Sequence, residues 1–230
     1  MCWIRYGRSL RQNEMKKDKN IILDNFIWRF AERCGAQLVT AVVTLLLARI
    51  LMPEDYGRTA LVAVFINILQ VFIDSGLGTA LIQKKDADDL DFSSVFYFNF
   101  AVCLVLYAGM FIAAPYIAAF YKDLTLTPVV RVASLTLVFS GVKGIQQAYV
   151  SRNMLFKRFF FATLGGTLFS AFLGLGMAYA GFGVWALVAQ QLSNTAIDTL
   201  ILWLTVHWRP KAVFSWQRLK GLLSFGYRIQ

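Results

Sequence analysis

The sequence predicts an all-α, polytopic membrane helical bundle, and three observations carry that prediction. Six apolar stretches, at about residues 26–51, 59–81, 93–120, 129–150, 159–180 and 184–206, are each long enough for a helix to cross a hydrocarbon core of about 30 Å. The composition is 58% hydrophobic and 16% charged, too little polar residue to cover a soluble domain of 230 residues. The cations also segregate. Arg5, Arg8, Arg11, Lys16, Lys17, Lys19, Lys84, Lys85, Arg152, Lys157, Arg158, Arg209, Lys211, Arg218 and Lys220 fall on one side, and only Arg58 and Lys122 on the other. Basic loops stay in the cytoplasm, so the N-terminus is predicted inside.

Taken in order, residues 1–20 form a basic cytoplasmic tail without the short apolar core and small-residue cleavage site of a signal peptide. Met15 is a second candidate start. The first span carries Arg29, Arg33, Gln37, Thr40 and Thr44 at steps of three and four residues. On a helix these fall within an arc of roughly 80°, a polar stripe about 22 Å long. Glu32 sits beside it. In the second span Ala63, Asn67, Gln70, Asp74 and Gly78 repeat the arrangement. The third contains Pro115, and the fourth Gly141 and Gly144, as candidate kink points. The fourth also carries Thr136, Ser140, Lys143 and Gln147 on one face.

The fifth span reads differently. Ala162, Gly166, Ser170, Gly174 and Ala178 recur at every fourth position, a small-residue seam that lets two helix backbones approach closely, or alternatively a hinge. The sixth span presents Gln190, Gln191, Asn194 and Asp198 within one arc. Residues 207–230 are expected to be a cytoplasmic linker followed by the opening of a second lobe, so the chain reads as the N-terminal portion of a longer transporter. The domain organisation expected is therefore a tail, 1–20; a six-helix lobe, 21–206; and a linker with the start of the second lobe, 207–230.

The net charge of +10 is explained by anionic headgroups and membrane orientation, and no nucleic-acid partner is implied. Cys2, Cys34 and Cys103 have no metal or redox spacing, and the single His207 lacks a second ligand. No zinc-protease, phosphate-loop, nucleophile-elbow or dinucleotide motif occurs, so no cofactor and no enzyme activity are expected. The acidic run Asp86, Asp88, Asp89 and Asp91 reads as a solvated loop beside Lys84 and Lys85.

Charge inside a membrane is costly and is tolerated where a wet cavity or a partner receives it. Arg49 and Arg131 lie near outer helix ends, where long side chains can snorkel to the interface. Arg29 and Arg33 can be boundary charges, or can face inward with Gln37. The guanidinium fork suits phosphate oxygens, so Arg29, Arg33, Gln37 and Lys143 are the candidate contacts to an anionic substrate. Asp74 and Asp198 are candidates for ion or proton coupling, with structural pairing as the other account.

The run Leu47-Ala48-Arg49-Ile50-Leu51-Met52-Pro53-Glu54-Asp55-Tyr56-Gly57, preceded by Glu32-Arg33 and Gln37, resembles the first hairpin of bacterial polysaccharide flippases. The stretch from Asp74 to Lys85 resembles their second-span exit. Residues 96–99, 115–121, 151–159 and 181–188 are further matches. The resemblance runs from about Ile21 to the last residue. It is to the O-antigen and colanic-acid type lipid-linked oligosaccharide exporters, within the multidrug/oligosaccharidyl-lipid/polysaccharide exporter superfamily. It implies a two-lobe transporter of the bacterial inner membrane that flips an undecaprenyl-pyrophosphate-linked oligosaccharide by alternating access. Lipid-linked oligosaccharide, membrane lipids and other polysaccharide assembly proteins are the partners implied.

Two other classes compete. A drug/cation antiporter of the same superfamily would rely more on acidic cavity residues, whereas the first-span stripe is cationic. A membrane-embedded glycan polymerase would be expected to show large loops or acidic catalytic clusters, and the outer loops here, 52–58, 121–128 and 181–183, are short.

Overall fold

The computed structural model describes residues 27–28, 30–31, 33–73, 77–83, 88–153 and 156–227. Among these, secondary structure is helical: α1 (Arg33–Ile50), α2 (Pro53–Ile73), α3 (Leu77–Gln83), α4 (Asp89–Phe120), α5 (Leu126–Ala133), α6 (Leu135–Arg152), α7 (Phe156–Tyr179), α8 (Val184–Thr205) and α9 (Trp216–Tyr227).

Local sequence sets the boundaries. Pro53 opens α2 at a position that needs no N–H, and Glu54 and Asp55 in its first turn oppose the positive end of the helix dipole. Before α4, Asp91 accepts the backbone N–H of Asp88 at 3.2 Å. The helix then runs unbroken through Pro115 for 32 residues. Between α7 and α8 the chain reverses through Gly181 (φ 81°) and Gly183 (φ 55°), a left-handed backbone natural to glycine.

Two spans differ from expectation. The second starts at Pro53, several residues early, and is described as far as Ile73; residues 74–76, ahead of α3, lie outside the described residues. The fourth starts at Leu126, three residues early, and α5 and α6 run on through Ser134, whose backbone stays right-handed helical (φ −64°, ψ −16°) and whose hydroxyl donates to the Val130 carbonyl at 2.6 Å while Thr136 donates to Ala133 at 2.7 Å.

The bundle is apolar outside. Leu45, Val71, Val105, Ile112, Phe172 and Leu204 are all well exposed, the reverse of a water-soluble surface. Among the described residues, five helical segments are long and apolar enough to cross a membrane: Arg33–Ile50, Pro53–Ile73, Asp89–Phe120, Leu126–Arg152 and Phe159–Tyr179. The expected sixth, α8, has 22 residues, but Gln190, Gln191, Asn194 and Asp198 dilute its apolar character, and it falls outside that set. It packs against α2, α5, α6 and most extensively α7.

Three apolar clusters hold the helices. One joins Leu81, Phe92, Ile145, Leu202, Trp208 and Leu219 where α4 begins. A second joins Ile66, Met110, Leu126, Leu137 and Val188. The third, Val43, Leu47, Ala171, Ala178 and Leu187, fastens α1 to α7 and α8. Lipid is as apolar as leucine, so these clusters act through close contact more than through removal from solvent.

Candidate functional site

The α7 seam sets the geometry of the interior. A Cβ on Gly166 would lie 3.0 Å from the Asn194 carbonyl oxygen, and one on Gly174 would lie 2.9 Å from Gln190 Cβ. Ala162, Ser170 and Ala178 on the same face are buried. The seam is thus the packing surface for α8, and it brings the polar stripe of α8 against α7 backbone.

Beside that contact lies a cavity of about 260 Å³. Thr40, Val43 and Thr44 line it from α1, and Thr59 from α2. Thr167, Ser170 and Ala171 contribute from α7, and Leu187, Gln190, Gln191 and Asn194 from α8. Every polar group in this lining is uncharged. Several hydroxyls are committed to their own helices: Thr40 to Ala36 (2.8 Å), Thr59 to Asp55 (2.8 Å), Thr167 to Thr163 (2.7 Å) and Ser170 to Thr167 (2.9 Å).

One turn beyond Asn194 the α8 stripe changes character. Asp198, 4% exposed, forms an ion pair with Lys143 of α6. Its other oxygen, Oδ1, is buried with no hydrogen-bond partner among the described residues. Asn99 on α4 donates to the Gly141 carbonyl at 3.3 Å, and a Cβ on Gly141 would run into Cys103 Sγ. Cys103 is buried and Cys34 exposed, and neither is in a disulfide.

The sequence-predicted residues are thereby separated. Thr40 and Thr44 of the first-span stripe line the cavity. Arg33 and Gln37 are exposed and do not line it. Arg29, Glu32 and Asp74 lie outside the described residues. Lys143 and Asp198, read from sequence as a substrate contact and a coupling site, are partners of each other. Thr59, Thr167 and Ser170 escaped sequence reasoning: Thr59 looked like a helix end, and Ser170 was counted only as a small residue in a seam.

In the acidic run before α4, Asp88 and Asp89 are exposed as expected and Asp86 lies outside the described residues, but Asp91 is buried and the three described carboxylates are paired. Asp89 pairs with Lys211 at 2.7 Å and accepts from the Trp208 indole at 3.2 Å; Arg218 bridges Asp88 (3.0 Å) and Asp91 (3.5 Å). The Lys211 and Ser215 backbone amides donate to Ser93 and Ser94 at 3.0 and 2.9 Å. The linker after α8 is therefore tied to the start of α4. The hydrogen bond to Asp88, followed by the charge of Asp91, raises the Arg218 pKa further.

At the other end of α4, Arg58 Nε donates to Asp123 at 2.7 Å and its NH1 lies 3.8 Å from Asp55. Asp55 in turn abuts Gly183, where a Cβ would sit 3.2 Å from its oxygen. Hydrogen bonds from Thr125, then from Arg58, hold the Asp123 carboxyl below its ordinary value. Three helix-connecting turns are latched together there.

No group of three or more His, Cys, Asp or Glu residues suited to a metal ion occurs among the described residues. No solved structure matches the chain. Among curated proteins, the succinoglycan biosynthesis transport protein ExoT of Rhizobium meliloti is 26% identical over 203 residues, 88% of this chain and 41% of ExoT. The teichuronic acid biosynthesis protein TuaB of Bacillus subtilis is 30% identical over 164 residues, 68% of this chain and 33% of TuaB. The lipopolysaccharide biosynthesis protein WzxC of Escherichia coli is 24% identical over 187 residues, 78% of this chain and 37% of WzxC. The chain thus spans between a third and about two fifths of the length of these relatives. A family profile described as polysaccharide biosynthesis protein matches residues 46–230, most of the chain, and the chain belongs to that family.

Proposed function

We propose that the protein moves a lipid-linked oligosaccharide from the cytoplasmic to the periplasmic leaflet of the bacterial inner membrane. This chain would supply the membrane-embedded N-terminal lobe, with its own N-terminus in the cytoplasm. The observation that carries the reading is an open cavity lined in part by uncharged polar side chains, between α1, α2, α7 and α8, in a bundle with an apolar exterior. The carrier's hydrocarbon tail can remain in lipid while its head group crosses, so the protein must provide a polar route and positive charge for the phosphates.

In this reading Arg29 and Arg33, with Gln37, receive the pyrophosphate at the cytoplasmic mouth. Asp74 and Asp198 are the coupling groups, and Lys143 reaches substrate only when Asp198 releases it. Transport by alternating access needs no bond to be made or broken, so no catalytic residue is assigned. The relatives' names, which include a transport protein and a lipopolysaccharide biosynthesis protein, support a role in polysaccharide export.

The test is export in cells. Deleting the gene should remove a surface polysaccharide and accumulate its lipid-linked precursor in the cytoplasmic leaflet, and the wild-type gene should restore both. Unchanged glycan and unchanged precursor distribution in the deletion strain would overturn the reading. A catalytic domain encoded in the same gene, with no transport defect, would favour a glycan polymerase instead.

A further inference from the structure

We infer that the cavity between α1, α2, α7 and α8 is a subsite for one neutral sugar ring of the cargo, distinct from the cationic stripe that meets its phosphates. This deepens the export reading and rests on it.

The walls argue for the ligand class. Thr40, Thr59, Thr167 and Ser170 each donate their hydroxyl proton to a carbonyl of their own helix. A hydroxyl has one proton and two lone pairs, so these four present acceptors to the cavity and no donor. A phosphate is acceptor-only: it would meet lone pairs at these four and find donors only in the Thr44 hydroxyl and the amides of Gln190, Gln191 and Asn194, none of them charged. A sugar hydroxyl both donates and accepts. It can donate to the threonine and serine oxygens and pair with the amides of Gln190, Gln191 and Asn194, which offer both functions.

An inorganic cation would also welcome oxygen acceptors, and two observations count against it. Among the described residues no carboxylate lines the cavity, and the nearest acid along α8, Asp198, is already neutralised by Lys143. A cation there would have no counter-charge to hold it. The volume of about 260 Å³ lies below the range of about 300–1,000 Å³ typical of pockets for larger ligands, and fits a single ring better than an oligosaccharide. Val43, Ala171 and Leu187 supply the apolar patches that the C–H faces of a sugar ring require.

The experiment uses the full-length protein in lipid nanodiscs, with Cys2→Ser, Cys34→Ser and Cys103→Ala as background. Thr44→Cys then reports on the cavity, and Cys34 restored to the same background, exposed beside Arg33, reports on the cationic stripe, through the rate of modification by a charged methanethiosulfonate reagent. Methyl glycosides of glucose, galactose and mannose are the neutral probes, inorganic pyrophosphate the anionic one, and sodium against potassium chloride the cationic one. At least one methyl glycoside should slow modification of Thr44→Cys, with pyrophosphate and sodium without effect. Adding Gln191→Leu, an exposed position where folding is little affected, should weaken that protection about fivefold, the worth of one lost hydrogen bond. Protection of Thr44→Cys by pyrophosphate or sodium, or by no methyl glycoside, would overturn the subsite. Failure of pyrophosphate to protect Cys34, with sugar protection of Thr44→Cys intact, would remove the phosphate-capture role and leave the subsite standing.

Discussion

Lys143 on α6 reaches Asp198 on α8, and that contact is an ion pair between two helices inside the membrane-embedded bundle. The Asp198 carboxylate is almost fully buried, while Lys143 keeps about a fifth of its side chain accessible. The partners are therefore unequal, and their removal has unequal consequences.

Breaking a buried pair leaves an unbalanced charge, at a cost of about 3–5 kcal/mol, whereas replacing both partners with apolar groups is often neutral. Lys143→Met should accordingly lower detergent thermal stability strongly and Asp198→Leu less, because the residual lysine can reach water. Lys143→Met with Asp198→Leu should recover most of the loss. If the double variant is stable yet fails to export glycan, the pair serves coupling as well as structure. A double variant no more stable than Lys143→Met alone would show that the charges do not compensate one another.

The α7 seam should tolerate no bulk. Gly166→Leu and Gly174→Leu place side chains where α8 backbone and Gln190 already sit, and folded protein should fall sharply. Leu168→Phe and Phe172→Trp, at exposed positions off the seam, should be mild. The comparison is fluorescence-detected size exclusion after heating, and equal losses in the two classes would deny the seam its role.

The latch at Asp123 has a definite pH signature. Its carboxyl is held below the ordinary value in the folded state, so the latch contributes fully above about pH 4, where the unfolded carboxylate is also charged. The contribution is lost as pH falls through the depressed value. Asp123→Asn should therefore be modestly less stable than wild type at neutral pH, and the gap should close in acid. A gap that is constant across that range would mean that the carboxylate charge is irrelevant.

Topology can be read by labelling. In a cysteine-free background, Lys122→Cys and Asp88→Cys should react from opposite faces of the membrane, with only the first accessible to an impermeant reagent in intact spheroplasts. Equal reaction would contradict a cytoplasmic N-terminus.

Phosphate capture makes a separate demand. Arg33→Lys should retain part of the export and Arg33→Ala or Arg33→Glu little, at unchanged membrane protein level, because lysine keeps the charge but not the fork. Normal export with both Arg29 and Arg33 neutralised would exclude the role.

Much of the fold was legible because period and length are local properties. The apolar spans, the small-residue seam and the polar stripes of α1 and α8 are written every three or four residues. Partnerships across the bundle were not legible. Lys143 and Asp198 stand out singly, but only the rotation of α6 against α8 joins them. The pairing of the acidic run before α4 was hidden because its partners, Lys211 and Arg218, lie more than a hundred residues away in the chain. Ser170 was visible as small, yet its membership of a cavity wall depends on where α1 and α2 come to rest.

Cys103 and Gly141 meet with no room for another atom between α4 and α6. An alkylating reagent can add to that sulfur only during moments when the two helices have drawn apart. The rate at which the native thiol is consumed is thus a stopwatch for helix separation, built into the unmodified protein. Run with and without cargo, it would time the opening of this lobe without the introduction of any label.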